Sequence, residues 1–178
     1  MYNFIQFLTY FRIIAGPIIF ISILLFEFYG IALIILLLAS ISDYWDGFLA
    51  RKYSLTSSFG AVLDPIADKI LITFTLIALS VNLGSSYIAF ISSVILAREF
   101  WVSALRDLNA RNGDQEATSV TFLAKAKTSI QLLTLCSFLI GLYSSNALIL
   151  FLSYFLLFLA LIITLQTGLS YTIATFKR

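Results

Sequence analysis

Four aspartates, Asp43, Asp46, Asp64 and Asp68, fall within the stretch SDYWDGFLARKYSLTSSFGAVLDPIADK, and both flanks of that stretch are strongly apolar. Asp43 and Asp46 are three residues apart, so on a helix they share a face. Gly47 and Ala50 extend that face from Asp43 at spacings of four and seven. On the next apolar segment Gly60, Asp64 and Asp68 recur every four residues. The loop between the segments is short, which makes them an antiparallel hairpin. Asp43 lies about 12 Å from Arg51 along its helix, and Asp68 lies at a similar depth past Gly60. The four acids are therefore expected at one level.

An ionised aspartate in hydrocarbon costs several kcal/mol, and four together also repel one another. A positive charge must offset them. Two divalent cations about 3.5–4 Å apart, bridged by shared carboxylates, would do so. The other candidate partners are Arg51, Lys52 and Lys69. The chain has no histidine and a single cysteine, Cys136. Any metal site must then be built from carboxylates, which favours Mg²⁺, Mn²⁺ or Ca²⁺ over zinc. The same composition removes the commonest general base and rules out an intramolecular disulfide. The small residues on the acid-bearing faces leave room for a ligand against the backbone, or else serve close helix packing.

The surroundings read as membrane. Of 178 residues, 61% are hydrophobic and 11% charged, and the mean hydropathy is +1.01. Six apolar segments lie near 4–26, 31–50, 60–82, 87–108, 125–143 and 147–171. Their lengths suit helices crossing about 30 Å of hydrocarbon, and they lack the alternation of a spanning barrel. The expected fold is all-α, a polytopic membrane protein of six transmembrane helices in a single domain, 1–178. The first segment has no basic n-region or cleavage site of a signal peptide. None of the eleven Lys and Arg residues falls in the short turns EFYG, NLGSSY and YSSNA. The positive-inside rule then puts both termini, and the loops near 51–59 and 109–124, in the cytoplasm, with Ser57 inside and Ser85 and Ser145 outside.

The stretch DYWDGFLARKYSLTSSFGAVLDPIAD fits D-x2-D-G-x2-A-R-x8-G-x3-D-x3-D at every defined position, eight residues over 26. It resembles the CDP-alcohol phosphotransferases, integral membrane enzymes of phospholipid synthesis. Three further stretches resemble the bacterial subgroup whose acceptor is glycerol 3-phosphate: FLTYFRIIAGPIIF with Thr9 and Arg12, AREFWVSALRDLNARNG, and AKAKTS, where Ala124 replaces a customary glycine. The resemblance spans most of the chain, to about residue 135.

It implies transfer of the phosphatidyl group from CDP-diacylglycerol to sn-glycerol 3-phosphate, giving phosphatidylglycerophosphate and CMP. Asp43, Asp46, Asp64 and Asp68 would hold Mg²⁺ or Mn²⁺, two ions in all, and Asp68 would also be the general base. Asp43, Asp46, Gly47, Ala50, Arg51 and Gly60 would bind the nucleotide. Thr9 and Arg12 are candidate substrate contacts. The resemblance further implies a homodimer among membrane lipids, in the bacterial inner membrane with the site facing the cytoplasm, and no nucleic acid partner. Another acceptor (inositol phosphate, serine or phosphatidylglycerol) is the alternative within the family. A cation transporter would also place carboxylates in a membrane, but the chain lacks the repeats and broken helices expected of one.

An acceptor carrying a phosphate needs a basic pocket. Arg98 sits near the middle of the fourth segment, where charge is expensive. Arg106 follows two turns on, and Lys125 and Lys127 open the fifth segment, where free backbone N–H groups also favour an anion. Snorkelling to the interface is the other reading of Arg106, Lys125 and Lys127, and an ion pair with Glu99 or an aspartate that of Arg98.

Overall fold

The computed structural model of the chain describes residues 2–53, 58–112 and 122–177. The described residues form six helices: α1 Tyr2–Leu24, α2 Tyr29–Tyr53, α3 Ser58–Asn82, α4 Ser86–Arg111, α5 Phe122–Tyr143 and α6 Ala147–Phe176. Each begins or ends within a few residues of the boundaries read from hydropathy. Among the described residues, five of them, all but α3, hold windows long and apolar enough to cross a membrane. The exception, 25 residues long, carries Asp64, Asp68 and Lys69 in its first half. Ser57 and the loop at 113–121 lie outside the described residues.

The turns without Lys or Arg are tight and locally determined. Gly84 takes φ +54 with open space around it, a backbone state that suits glycine. Ser85 then caps α4 by accepting from the Ile88 N–H, and Asn146 caps α6 by accepting from Leu148 and Ile149. These side chains satisfy N–H groups that a helix start leaves unpaired. Consecutive helices pack on each other across these turns, α1 on α2, α3 on α4 and α5 on α6, while α1 also lies along α3 and α2 along α5.

Burial divides the molecule into two layers. Toward the tight turns the interior is apolar, with Ile19, Ile23, Leu36, Leu79, Ile91 and Phe138 wholly or almost wholly enclosed. Toward the other end a small apolar cluster of Val102, Leu105 and Tyr171 is joined by buried polar and charged side chains, Thr9, Arg12, Asp46, Arg98, Lys127 and Gln131 among them. The outer surface carries exposed Phe and Ile side chains on α1, α2, α4 and α6, such as Phe7, Ile34, Phe90, Phe100 and Phe151. In water so much exposed apolar surface would drive association; around a helical bundle in lipid it faces a solvent of its own kind. The chain is an integral membrane protein whose buried charged side chains, among the described residues, are confined to one half of its depth.

One close approach sets the geometry of that half. A Cβ on Gly16 of α1 would lie 3.1 Å from the Ile70 side chain and 3.3 Å from the Ile70 carbonyl oxygen of α3. The bare glycine lets α1 lie against α3 one turn from Arg12, which brings Arg12 within reach of the α3 acids.

Candidate functional site

The four aspartates converge on one side chain. Arg12, one turn beyond Thr9 on α1, is fully buried. Its Nη1 donates to Asp43 and, at 2.7 Å, to Asp68, while Nη2 donates to Asp46 at 2.8 Å and to Asp64 at 3.1 Å. Thr9 Oγ1 lies 2.8 Å from Asp64 and 3.1 Å from Asp46; with one proton it donates to one of them at a time. Asp46 is buried, but the side chains of Asp43, Asp64 and Asp68 are 52%, 42% and 45% exposed and so open onto free space.

The structure adds a cation that the sequence reading places only among the candidate substrate contacts: Arg12 lies among the four acids, while the side chains of Arg51 and Lys52 lie outside the described ones. Lys69 instead donates to Ser103 of α4. Arg12 belongs to a helix that the acid-bearing hairpin does not contain, so spacing within the hairpin could not reveal it. Among the described residues, no three acidic side chains stand ready around one ion.

A cavity of about 380 Å³ opens beside the acids. Asp64, Asp68 and Lys69 line it from α3, Arg98, Glu99 and Arg106 from α4, and Lys127 from α5. Two expected basic residues are buried there, and each is held by Glu99. Arg98 donates to Glu99 at 3.2 Å and to Thr167 Oγ1 at 2.6 Å, and Lys127 donates to Glu99. The ion pair considered for Arg98 is thus present, inside the cavity wall rather than in place of it. Arg98 Nε is buried with no hydrogen-bond partner among the described residues. Arg106 is more exposed; it lies 5.3 Å over the Tyr171 ring and donates to the Tyr171 hydroxyl at 3.4 Å.

A second cavity of about 210 Å³ meets the first at Asp68, Ile72 and Thr128. Its other walls are mostly apolar, with Leu36, Ala39, Leu71, Leu132 and Leu135, and Asp43 borders it. Asp68 is the acid common to both spaces.

Gly47, Ala50 and Arg51 lie on α2, Gly60 on α3 and Lys125 on α5, but their side chains are outside the described ones. Helix α5 starts at Phe122, ahead of both lysines, and Lys127 is the one seen to reach the cavity.

Several residues of the site escape sequence reasoning. Lys69 was legible as a mid-helix charge adjacent to Asp68, yet only the neighbouring α4 tells which way it turns. Tyr171 and Thr167 come from α6, an almost uniformly apolar segment where hydroxyls at those positions give little signal. Gly168 is a third: a Cβ there would meet Arg98 Cγ at 2.9 Å and Nε at 3.1 Å, so the glycine makes room for the arginine stem.

The sequence matches the profile of the CDP-alcohol phosphatidyltransferase family over residues 2–166. A curated relative from Wigglesworthia glossinidia brevipalpis is 41% identical over 135 residues, covering 74% of each chain. One from Salmonella paratyphi A is 31% identical over 173 residues, 96% of this chain and 93% of the relative. One from Shigella flexneri is 32% identical over 140 residues, 79% and 75% of the two chains. All three relatives carry the name CDP-diacylglycerol–glycerol-3-phosphate 3-phosphatidyltransferase.

Proposed function

The chain belongs to the CDP-alcohol phosphatidyltransferase family, and from that premise we propose that it transfers the phosphatidyl group of CDP-diacylglycerol to sn-glycerol 3-phosphate, releasing CMP. One observation carries the choice of acceptor: the larger cavity is lined by Asp64 and Asp68 of α3 and, against the single carboxylate of Glu99, by Arg98, Arg106 and Lys127 of α4 and α5. An acceptor with a hydroxyl at one end and a phosphate at the other is complementary to it. Arg98 and Lys127, buried and fixed by Glu99, bind the phosphate, with Arg106 and Lys69 at the rim and Lys125 as a further candidate.

Asp68 borders both cavities, and its carboxylate takes the proton from the attacking hydroxyl of the acceptor. That oxygen then attacks the phosphorus on the lipid side of the diphosphate, and CMP leaves with the bonding electrons. No covalent enzyme intermediate is needed. The apolar-walled cavity beside Asp43 and Asp68 suits the lipid side of the donor. On the hairpin, Asp43, Asp46, Gly47, Ala50, Arg51 and Gly60 bind the nucleotide.

The donor diphosphate needs positive charge. Asp43, Asp46, Asp64 and Asp68 offer an all-oxygen donor set gathered within hydrogen-bond reach of one guanidinium, which fits Mg²⁺ or Mn²⁺ in chemistry. When bound, such ions would neutralise the diphosphate and polarise its phosphorus. The reading further holds that the single domain works as a homodimer in the bacterial inner membrane, its polar half toward the cytoplasm.

The test is CMP release by the purified protein in lipid micelles, with CDP-diacylglycerol and a panel of acceptors. Release with glycerol 3-phosphate, and none with inositol phosphate, serine or phosphatidylglycerol, is the expected result. Release with one of the others alone overturns the acceptor assignment.

A further inference from the structure

We infer that Arg12 is the resident cation of the carboxylate cluster and competes with divalent ions for it, so that ion binding requires the guanidinium to leave the centre. This rests on the metal reading above and concerns what the chain itself contributes to ion affinity.

The hydrogen-bond pattern of Arg12 is matched to the acids. Each of its two terminal nitrogens carries two protons, and each contacts two carboxylates: Nη1 those of Asp43 and Asp68, Nη2 those of Asp46 and Asp64. The fifth donor, Nε, is buried without a partner. Among the described residues, the hydrogen bonds that hold the guanidinium in place all come from these four acids. Thr9, which also contacts Asp46 and Asp64, is neutral.

Two consequences follow. With all four acids ionised, one guanidinium leaves three negative charges uncompensated, so the cluster retains a strong attraction for further cations. Mg²⁺ takes carboxylate oxygens at about 2.0–2.1 Å, and ions drawing on these oxygens meet the charge of Arg12 at short range. Once ions neutralise the acids, the hydrogen bonds that fix Arg12 are weakened together. Without ions, Arg12 is what allows four carboxylates to sit side by side in an apolar surround.

The competition has a readout independent of turnover. The full chain is placed in lipid nanodiscs as wild type, Arg12→Met and Arg12→Lys; Mn²⁺ affinity is read from the free-ion EPR signal and thermal midpoints are taken in EDTA and in Mn²⁺. In EDTA, Arg12→Met is expected to melt below wild type. Its Mn²⁺ affinity should be at least about tenfold higher, because the ion no longer displaces a cation, and Mn²⁺ should raise its midpoint more than that of wild type. Arg12→Lys keeps the charge but has three donors for four carboxylates, so its affinity should fall between the two; it carries the test if the Met form does not fold. Mn²⁺ affinity equal to or below wild type in the folded variants overturns the competition. Absence of Mn²⁺ binding by every form, wild type included, removes the metal reading itself and the competition with it.

Discussion

Gly168→Ala tests the acceptor pocket without touching a charged group. The new Cβ would lie 2.9 Å from Arg98 Cγ, 3.1 Å from Nε and 3.6 Å from Cδ. Carbon atoms prefer about 3.5–4.0 Å, so the arginine stem must shift by roughly 0.6–1 Å. The guanidinium at its end is confined by Thr167 at 2.6 Å and Glu99 at 3.2 Å. A shift of that size breaks the longer contact or re-aims the fork, and the phosphate loses part of one charge-assisted hydrogen bond. A whole such bond is worth about 1.5–3 kcal/mol; half of the upper figure corresponds to about a tenfold rise in KM for glycerol 3-phosphate. Complete removal by Arg98→Ala should raise it about 10–150-fold. Gly→Ala within a helix otherwise contributes about 0.8–1 kcal/mol of stability, so the fold should survive. Steady-state kinetics in detergent–lipid micelles, each substrate varied in turn, with a thermal melt alongside, makes the comparison. The KM for CDP-diacylglycerol should move little. An unaltered glycerol 3-phosphate KM in both variants, or a defect confined to the nucleotide lipid, would refute the assignment of Arg98 to the acceptor phosphate.

Three other outcomes are expected. Asp68→Asn keeps the size of the side chain but removes the base, and kcat should drop by about 10²–10⁴-fold; turnover within about tenfold of wild type would take the proton-transfer role away from Asp68. EDTA should abolish CMP release, and Mg²⁺ or Mn²⁺ should restore it, whereas full turnover in metal-free buffer argues against ions at the carboxylates. Cysteines placed at Ser85 and Ser145, in a background lacking Cys136, should react with an impermeant thiol reagent on intact cells, while one at Ser57 should not; the reverse pattern inverts the orientation drawn from the positive-inside rule.

Hydropathy and turn chemistry made the helices legible because each is a local property. Gly84, Ser85 and Asn146 act within a few residues of themselves, so a linear reading finds the breaks at NLGSSY and YSSNA. The convergence of Asp43, Asp46, Asp64 and Asp68 was nearly local as well: two helix faces, one short loop, and the rise of a helix bring them to one depth. What could not be read was lateral. Arg12, Glu99, Tyr171 and Gly168 come from three other helices, and nothing in the spacing of one helix states which face of another it meets. Arg12 in particular is legible as a candidate substrate contact, but its place among the acids is not until Gly16 is seen against Ile70.

The lateral arrangement changes the electrostatic argument. Read along the chain, four acids and a scatter of bases are two separate problems, each demanding a counter-charge from outside. In the folded bundle they are alternating groups in one polar layer: Arg12 among the aspartates, Glu99 between Arg98 and Lys127. Each cluster carries a single internal ion of opposite sign, too little to neutralise it. Arg98 and Lys127 share one carboxylate and retain a net positive charge; the four aspartates share one guanidinium and retain a net negative one. A fully neutralised cluster would have no electrostatic reason to bind a charged ligand, and an uncompensated one would be costly to bury. Partial internal pairing holds both clusters in the interior of the bundle, open to the cavities, and leaves opposite surpluses beside a single cavity, as a substrate with a phosphate at one end and a reacting hydroxyl beside cation-seeking carboxylates at the other requires.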